Sequence, residues 1–221
     1  MPDLGRGLRI LSFGCSEGFE CLDLAKVFPD AAIFGCDLQG TVLAEASVRC
    51  FDTATIFECS ASTLTSHGPF DAIIAHNVLC RFPQTRGLPS IDQIYPFHLF
   101  DEALQMLDRH LRLRGILSIY NSPYFFEQCS IAPRFLSVRQ KNQHSNGWIE
   151  KCDKSGNRVT TGEFHYKGHS YNPVEWRDFR RCRRDGTNKG EWERSAAYTH
   201  TRLNTYTAGS LKQVLWQKAN E

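Results

Sequence analysis

Apolar residues in the first 125 positions fall into short, nearly unbroken runs, separated by segments with helical spacing. Leu8–Phe13, Ala31–Cys36, Ala54–Cys59, Phe70–Ala75 and Ile116–Tyr120 are the runs. Each suits a strand covered on both faces. Between the first two, Cys21, Leu24, Ala25 and Phe28 recur at i, i+3, i+4 and i+7, which predicts a helix over Gly18–Phe28, stopped by Pro29-Asp30. Thr41–Phe51 predicts a second helix, starting near Gly40 or Thr41. The stripe Phe97, Phe100, Leu104, Leu107 and Leu111 predicts a third, ending near Gly115. Strands alternating with helices imply right-handed βαβ units and a parallel sheet. Ligands of such a sheet bind beyond the carboxyl ends of its strands.

The segment from Arg81 to Pro96 breaks the rhythm, with Pro83, Gly87, Pro89 and Pro96. It follows the fourth strand and is a candidate substrate wall or a plain surface insertion. After residue 125 the pattern weakens. Arg134–Gln140 and Gly147–Val159 are candidate strands, with a turn at Lys154-Ser155-Gly156-Asn157, and Glu163–Tyr171 is another. Val174–Arg184 predicts a short helix dense in arginine. The polar chain from about Asp185 predicts a partly disordered tail. These readings divide the chain into 1–172, with a core over 8–125, and a basic segment over 173–221.

Composition adds three constraints. The longest apolar run falls far short of a membrane span, and the N-terminus shows no signal-peptide pattern. The nine cysteines include no CxxC pair and sit largely in apolar segments, so they read as reduced core thiols of a cytoplasmic protein with no metal site. Net charge is +2, but residues 1–125 hold 9 Lys/Arg against 14 Asp/Glu, and residues 126–221 hold 17 against 10. Trp176, Arg177, Phe179, Arg180, Arg181, Arg183 and Arg184 interleave aromatics with arginines, which suits either an anionic partner or a solvated amphipathic helix.

Candidate chemistry centres on Ser12-Phe13-Gly14-Cys15-Ser16-Glu17-Gly18, a strand entering a tight two-glycine turn and then a helix. Glycine permits a left-handed backbone and close approach to a ligand, and the helix start offers N–H donors. Asp37 ends the second strand, 37 − 18 = 19 residues after Gly18, where a carboxylate can accept ribose hydroxyls. Over residues 8–125 the chain resembles the class I S-adenosylmethionine-dependent methyltransferases. The glycine turn aligns with that family's GxGxG motif and Asp37 with its ribose-binding acid. Ser60-Ala61 aligns with the adenine-flanking pair, Phe70–Leu79 with the fourth motif and Leu113–Leu117 with the entry to strand five. The wording Gly14–Glu20 with Asn77-Val78-Leu79 is also similar to the chemotaxis-receptor methyltransferases. Ser12 and Ser16 depart from the pattern, which has an acid and a glycine there.

The resemblance implies an α/β, Rossmann-like, doubly wound, mostly parallel sheet with helices on both faces and a C-terminal antiparallel strand. It implies S-adenosyl-L-methionine as cofactor, bound by Ser12, Phe13, Gly14, Cys15, Ser16, Gly18, Asp37, Leu38, Ser60, Ala61, Asn77 and Val78. It also implies methyl transfer to an O or N atom of a small molecule. A degenerate, non-catalytic binding protein and a nucleic-acid methyltransferase using residues 177–184 are the alternatives. His76 is a candidate general base at the fourth strand's end or a structural histidine. Asn121-Ser122-Pro123-Tyr124 follows the fifth strand, which makes Asn121 and Tyr124 candidate substrate contacts or parts of a turn set by Pro123. Substrate and oligomeric state are not legible in the sequence.

Overall fold

In the computed structural model, residues 7–140, 146–172, 175–176, 197–203 and 208–219 are described. Five parallel strands form first: β1 (Arg9–Phe13), β2 (Ala32–Asp37), β3 (Thr55–Glu58), β4 (Phe70–His76) and β5 (Leu111–Tyr120). Helices α1 (Phe19–Val27), α2 (Gly40–Arg49), α3 (Ala61–His67) and α4 (Phe97–His110) connect them. Two later strands, β6 (Phe135–Val138) and β10 (Leu215–Lys218), complete a seven-stranded sheet in the order β3-β2-β1-β4-β5-β10-β6. β10 runs antiparallel to both β5 and β6, so the sheet is Rossmann-like and mostly parallel with a C-terminal antiparallel strand.

Registered pairing carries one apolar row across five strands. Phe34, Leu11, Ile73, Leu117 and Trp216 are successive partners, and all are buried in a core with Leu64 of α3 and Phe100, Leu104 and Leu107 of α4. The opposite face places Ile33 and Ile10 against α1 and α2, with Cys15, Cys21 and Cys50. Gly35 lies on this face because a Cβ there would sit 2.7 Å from the Cys21 sulfur and 2.8 Å from Ile56. The described cysteines are all free thiols.

Several details differ from the sequence reading. α4 ends at His110 and β5 begins at once, so Gly115 lies inside the strand rather than closing the helix. Phe70 pairs with Leu111 and Ala72 with Ile116. The intervening residues bulge, with Arg114 at φ 63°. α3 was not anticipated, because seven residues with one buried position, Leu64, leave no apolar stripe. Residues 147–159 form not a strand but a loop with two isolated bridges, Cys152 to Arg158 within it and Asn157 to Ser90. Its turn is closed by Asp153 Oδ1, which accepts the N–H groups of Ser155 and Asn157 at 2.9 Å. The expected strand over 163–171 is a hairpin of β7 (Thr160–Tyr166) and β8 (His169–Tyr171), and β9 (Ala197–Arg202) pairs with β7 to make a second sheet.

Of the C-terminal segment, residues 208–219 are described, and β10 lies between β5 and β6 with Val214 and Trp216 buried. Trp216 stacks on Phe126 at 4.3 Å, an anchor that surrounding polar residues hide from a pattern search. Of the arginine-rich helix, only Glu175 and Trp176 are described. Trp176 stacks on Phe164 at 5.1 Å, and residues 177–184 lie outside the described residues.

Candidate functional site at the carboxyl ends of β1, β2 and β4

The loop leaving β1 takes a left-handed backbone at every second residue: Gly14 at φ 77°, Ser16 at 49° and Gly18 at 88°. Ser16 therefore adopts the shape a glycine would favour there, at the strain a side chain brings. Gly14 and Cys15 donate their N–H groups to the Cys36 carbonyl at 2.8 and 2.9 Å, so the loop is pinned to β2. A Cβ on Gly14 would lie 2.3 Å from Val78, and one on Gly18 would lie 2.7 Å from the Cys50 sulfur. Both glycines thus have packing reasons, and the first brings the loop after β4 against the loop after β1. Gly18 starts α1 without a side-chain cap, which leaves the helix's first N–H groups without that partner.

Asp37 holds the two loops together. Its Oδ2 accepts the Ser16 N–H at 3.0 Å, and its Oδ1 accepts those of Leu38 at 2.7 Å and Gln39 at 3.2 Å. Each carboxylate oxygen can accept two hydrogen bonds, so Oδ2 keeps capacity for a further donor. Leu38 beside it is 75% exposed. Ser60 caps α3 and Ala61 opens it; the Ser60 hydroxyl accepts the Thr63 N–H, and Thr63 Oγ1 accepts the Ser60 N–H.

Ser12, where the family pattern has an acid, is buried and joined to a carboxylate from elsewhere. Its hydroxyl donates to Glu20 Oε1 at 2.7 Å. Glu20 Oε2 lies 3.2 Å from His76 Nδ1, and His76 Nε2 lies 2.7 Å from the Ser118 hydroxyl. Four elements, β1, α1, β4 and β5, contribute to this network. Glu20 and Ser118 were missed in the sequence, because only the sheet order brings them beside Ser12 and His76. Both His76 nitrogens are engaged within this network.

Asn77 follows the last residue of β4, exposed and at φ 59°. Its Oδ1 accepts Asn121 Nδ2 at 2.7 Å. Asn121 and Tyr124, read as candidate substrate contacts, face inward. Asn121 is 1% exposed, and its Oδ1 accepts the N–H groups of Trp148 at 2.7 Å and Ile149 at 2.9 Å. Tyr124 is fully buried, and its hydroxyl donates to the Tyr95 carbonyl. Asn121 is covered by residues 147–149, and the Tyr124 ring packs against Tyr95, Phe97 and Phe100.

Lys151 anchors that cover. It is 1% exposed, and its ammonium donates to the carbonyls of Ser122 and Tyr124 and to the Ser122 hydroxyl. Burial pulls it down to about 7, partly opposed by Glu127. The loop 81–96 packs on the same cover: Ile91 donates its N–H to Gly156, and Arg158 donates to Pro89, both at 2.9 Å. It is a buttress of the carboxyl edge, with Ile91 and Tyr95 buried. Among the described residues no group of three or more His, Cys, Asp or Glu is placed to hold a metal ion, and no helix is long and apolar enough to cross a membrane.

The fold defines a Rossmann-like domain whose carboxyl edge carries a glycine loop and an aspartate. Residues 10–95 match a family described as a methyltransferase domain. That match falls within residues 8–125, the part of the chain that carries the resemblance. Among solved structures, TrmN from Thermus thermophilus is similar at 18% identity and a TM-score of 0.44, over 61% of this chain and 39% of its own. PKMT2 from Rickettsia typhi in complex with AdoHcy is similar at 23% identity and 0.39, over 50% of this chain and 20% of its own. The [4+2]-cyclase SpnF is similar at 22% identity and 0.40, over 52% and 39%. The chain spans from a fifth to two-fifths of the length of these structures. No curated relative matches it.

Proposed function

We propose that this chain is an S-adenosylmethionine-dependent methyltransferase acting on an O or N atom of a small molecule. The observation that carries the reading is the loop at 14–18: its left-handed backbone survives a serine at the middle position, and its N–H is held by Asp37 on the neighbouring strand. The match of residues 10–95 to a methyltransferase domain supports it.

The residues fit the cofactor chemically. Asp37 Oδ2 has a spare lone pair for a ribose hydroxyl, exposed Leu38 and Ala61 offer apolar contact on the β2–β3 side, and the uncapped start of α1 offers N–H donors. Glu20, bonded to Ser12, restores a carboxylate near the end of β1. Bound cofactor supplies an electrophilic methyl group on a sulfonium, an already good leaving group. The protein's share is then alignment and exclusion of water. The loops at 14–18 and 77–78 would position the donor, and the buttress of 81–96 on 153–158 would shield that edge. A base is needed only for a protonated nucleophile.

Calorimetry with S-adenosylmethionine and S-adenosylhomocysteine tests the reading. Micromolar binding that Asp37→Ala abolishes is the expected result and would justify a screen of methyl acceptors. No binding at millimolar ligand overturns it.

A further inference from the structure

We propose that Asn121 is a positioning residue: it fixes the side-chain amide of Asn77 so that the Asn77 NH2 group faces outward at the end of β4, as a donor to a ligand carboxylate. The orientation rests on geometry alone; the identity of the ligand rests on the methyltransferase reading above.

The two ends of an asparagine amide have the same shape, so partners decide which is which. Here they decide without ambiguity. The N–H groups of Trp148 and Ile149 converge on one Asn121 atom at 2.7 and 2.9 Å. A backbone N–H only donates, so that atom is Oδ1. The other end is Nδ2 and must donate. Its partner on Asn77, 2.7 Å away, is therefore an oxygen. Asn77 is left with its NH2 pointing away from Asn121. Asn77 also donates its N–H to the Tyr120 carbonyl and accepts the Cys80 thiol at its own carbonyl, so the NH2 takes no partner among the described residues.

Asn121 cannot turn to relieve this. It is 1% exposed, and the chain at Gly147 comes so close that a Cβ there would sit 2.3 Å from its Oδ1. Asn77, by contrast, is exposed, and Val78 next to it rests on Gly14 of the glycine loop. A buried amide thus sets the polarity of an exposed one at the ligand edge. The strand order β2-β1-β4 suggests which ligand group it meets. Asp37 on β2 takes the sugar, so a nucleoside-amino acid lying across β1 brings its amino-acid end toward β4. A fixed NH2 there recognises a carboxylate.

The first test needs no ligand. In 15N-labelled protein the Asn121 NH2 protons should be protected from exchange and those of Asn77 should exchange freely. In Asn121→Asp the new carboxylate still accepts from Trp148 and Ile149 but can no longer donate, so the Asn77 amide turns over and its NH2 becomes protected. Free exchange at Asn77 in both proteins overturns the orientation. The second test compares S-adenosylhomocysteine with 5′-methylthioadenosine, which lacks the amino-acid end, in wild type and the exposed variant Asn77→Asp. The expected result is a loss of about tenfold or more for the first, the scale of one charge-assisted hydrogen bond, and no change for the second. Equal affinity of both proteins for both ligands overturns the donor role. A wild type that binds neither ligand sinks the methyltransferase reading instead, while the exchange measurement still decides the orientation.

Discussion

The chain leaves the sheet at β1 and β2 through polar residues that stay near the surface, and leaves it at β5 through polar residues that do not. Ser16 is exposed and Asp37 is partly so, whereas Asn121, Ser122 and Tyr124 are 1%, 3% and 0% exposed. At the first edge backbone bonds fix the loop, and Asp37 keeps a spare lone pair. At the second, Asn121, Tyr124 and Lys151 direct their hydrogen bonds to groups of the protein itself, most of them backbone. A buried polar group must be satisfied internally, so the β5 edge is scaffold. The exposed edge can exchange its partner for a ligand, and Asn77 is the point where the two meet.

Glycines on the two edges should respond oppositely to alanine. At Gly147, φ is +119° and a Cβ would lie 2.3 Å from Asn121 Oδ1 and 2.7 Å from its Cα. Strain and overlap together should cost about 3 kcal/mol or more. Gly40, the first residue of α2 on the open edge, has nothing within 4 Å of its Cβ position. Gly40→Ala should be neutral or stabilise by up to about 1 kcal/mol. Denaturant unfolding of both variants checks the pair, and a Gly147→Ala protein within about 1 kcal/mol of wild type would break the contrast.

Acid and base should probe the scaffold edge next. His200, whose Nε2 lies 2.8 Å from the Gly147 carbonyl, is pushed by burial to about 4 from 6.5. Lys151 is pushed by burial to about 7 from 10.5. In each window the unfolded chain binds the proton that the folded chain has released, so stability rises with pH. It is lost as pH falls from 6.5 to 4 through His200, and it is gained as pH rises from 7 to 10.5 through Lys151. The slope is at most about 1.4 kcal/mol per pH unit for each group. Lys151→Met should flatten the alkaline window. It should narrow the acid window only slightly, through the lost repulsion on His200. An alkaline slope unchanged in Lys151→Met would show that the ammonium is not held in a dry site.

The legibility of this chain divides along the same line. The first five strands were readable because strands covered on both faces are written as continuous apolar runs, and α1 and α4 because their stripes repeat at helical spacing. The left-handed glycine loop and the place of Asp37 at the end of β2 were readable because each lies in one local turn. Glu20, Ser118 and Lys151 were not, since each matters only through residues 8, 42 and 29 positions away in sequence. β10 hid for a related reason: its four residues Leu-Trp-Gln-Lys carry one buried anchor, Trp216, and its partners β5 and β6 come from far upstream. Asn-Ser-Pro-Tyr at 121–124 shows the reverse error. Its residue types suit a ligand contact, yet residues 147–149 over Asn121 and the rings of Tyr95, Phe97 and Phe100 around Tyr124, invisible to local pattern, bury both.

Ser16 carries the smallest expected effect and the sharpest test of the open edge. A left-handed backbone costs an ordinary residue about 1–2 kcal/mol, and its φ here is 49°. Ser16→Gly removes that strain but adds freedom to the unfolded chain, worth about 0.5–1 kcal/mol, so the net gain should be no more than about 1 kcal/mol. Ser16→Val, whose branched Cβ resists this conformation, should lose about 1–2 kcal/mol without touching the core, because the residue is exposed. Thermal unfolding ranks the three proteins. The order Gly, Ser, Val from most to least stable is required by a loop already set in its left-handed shape before any ligand arrives. A Ser16→Val protein as stable as wild type would mean that the free loop relaxes away from this shape, and the open edge would then owe its form to the ligand and not to the chain.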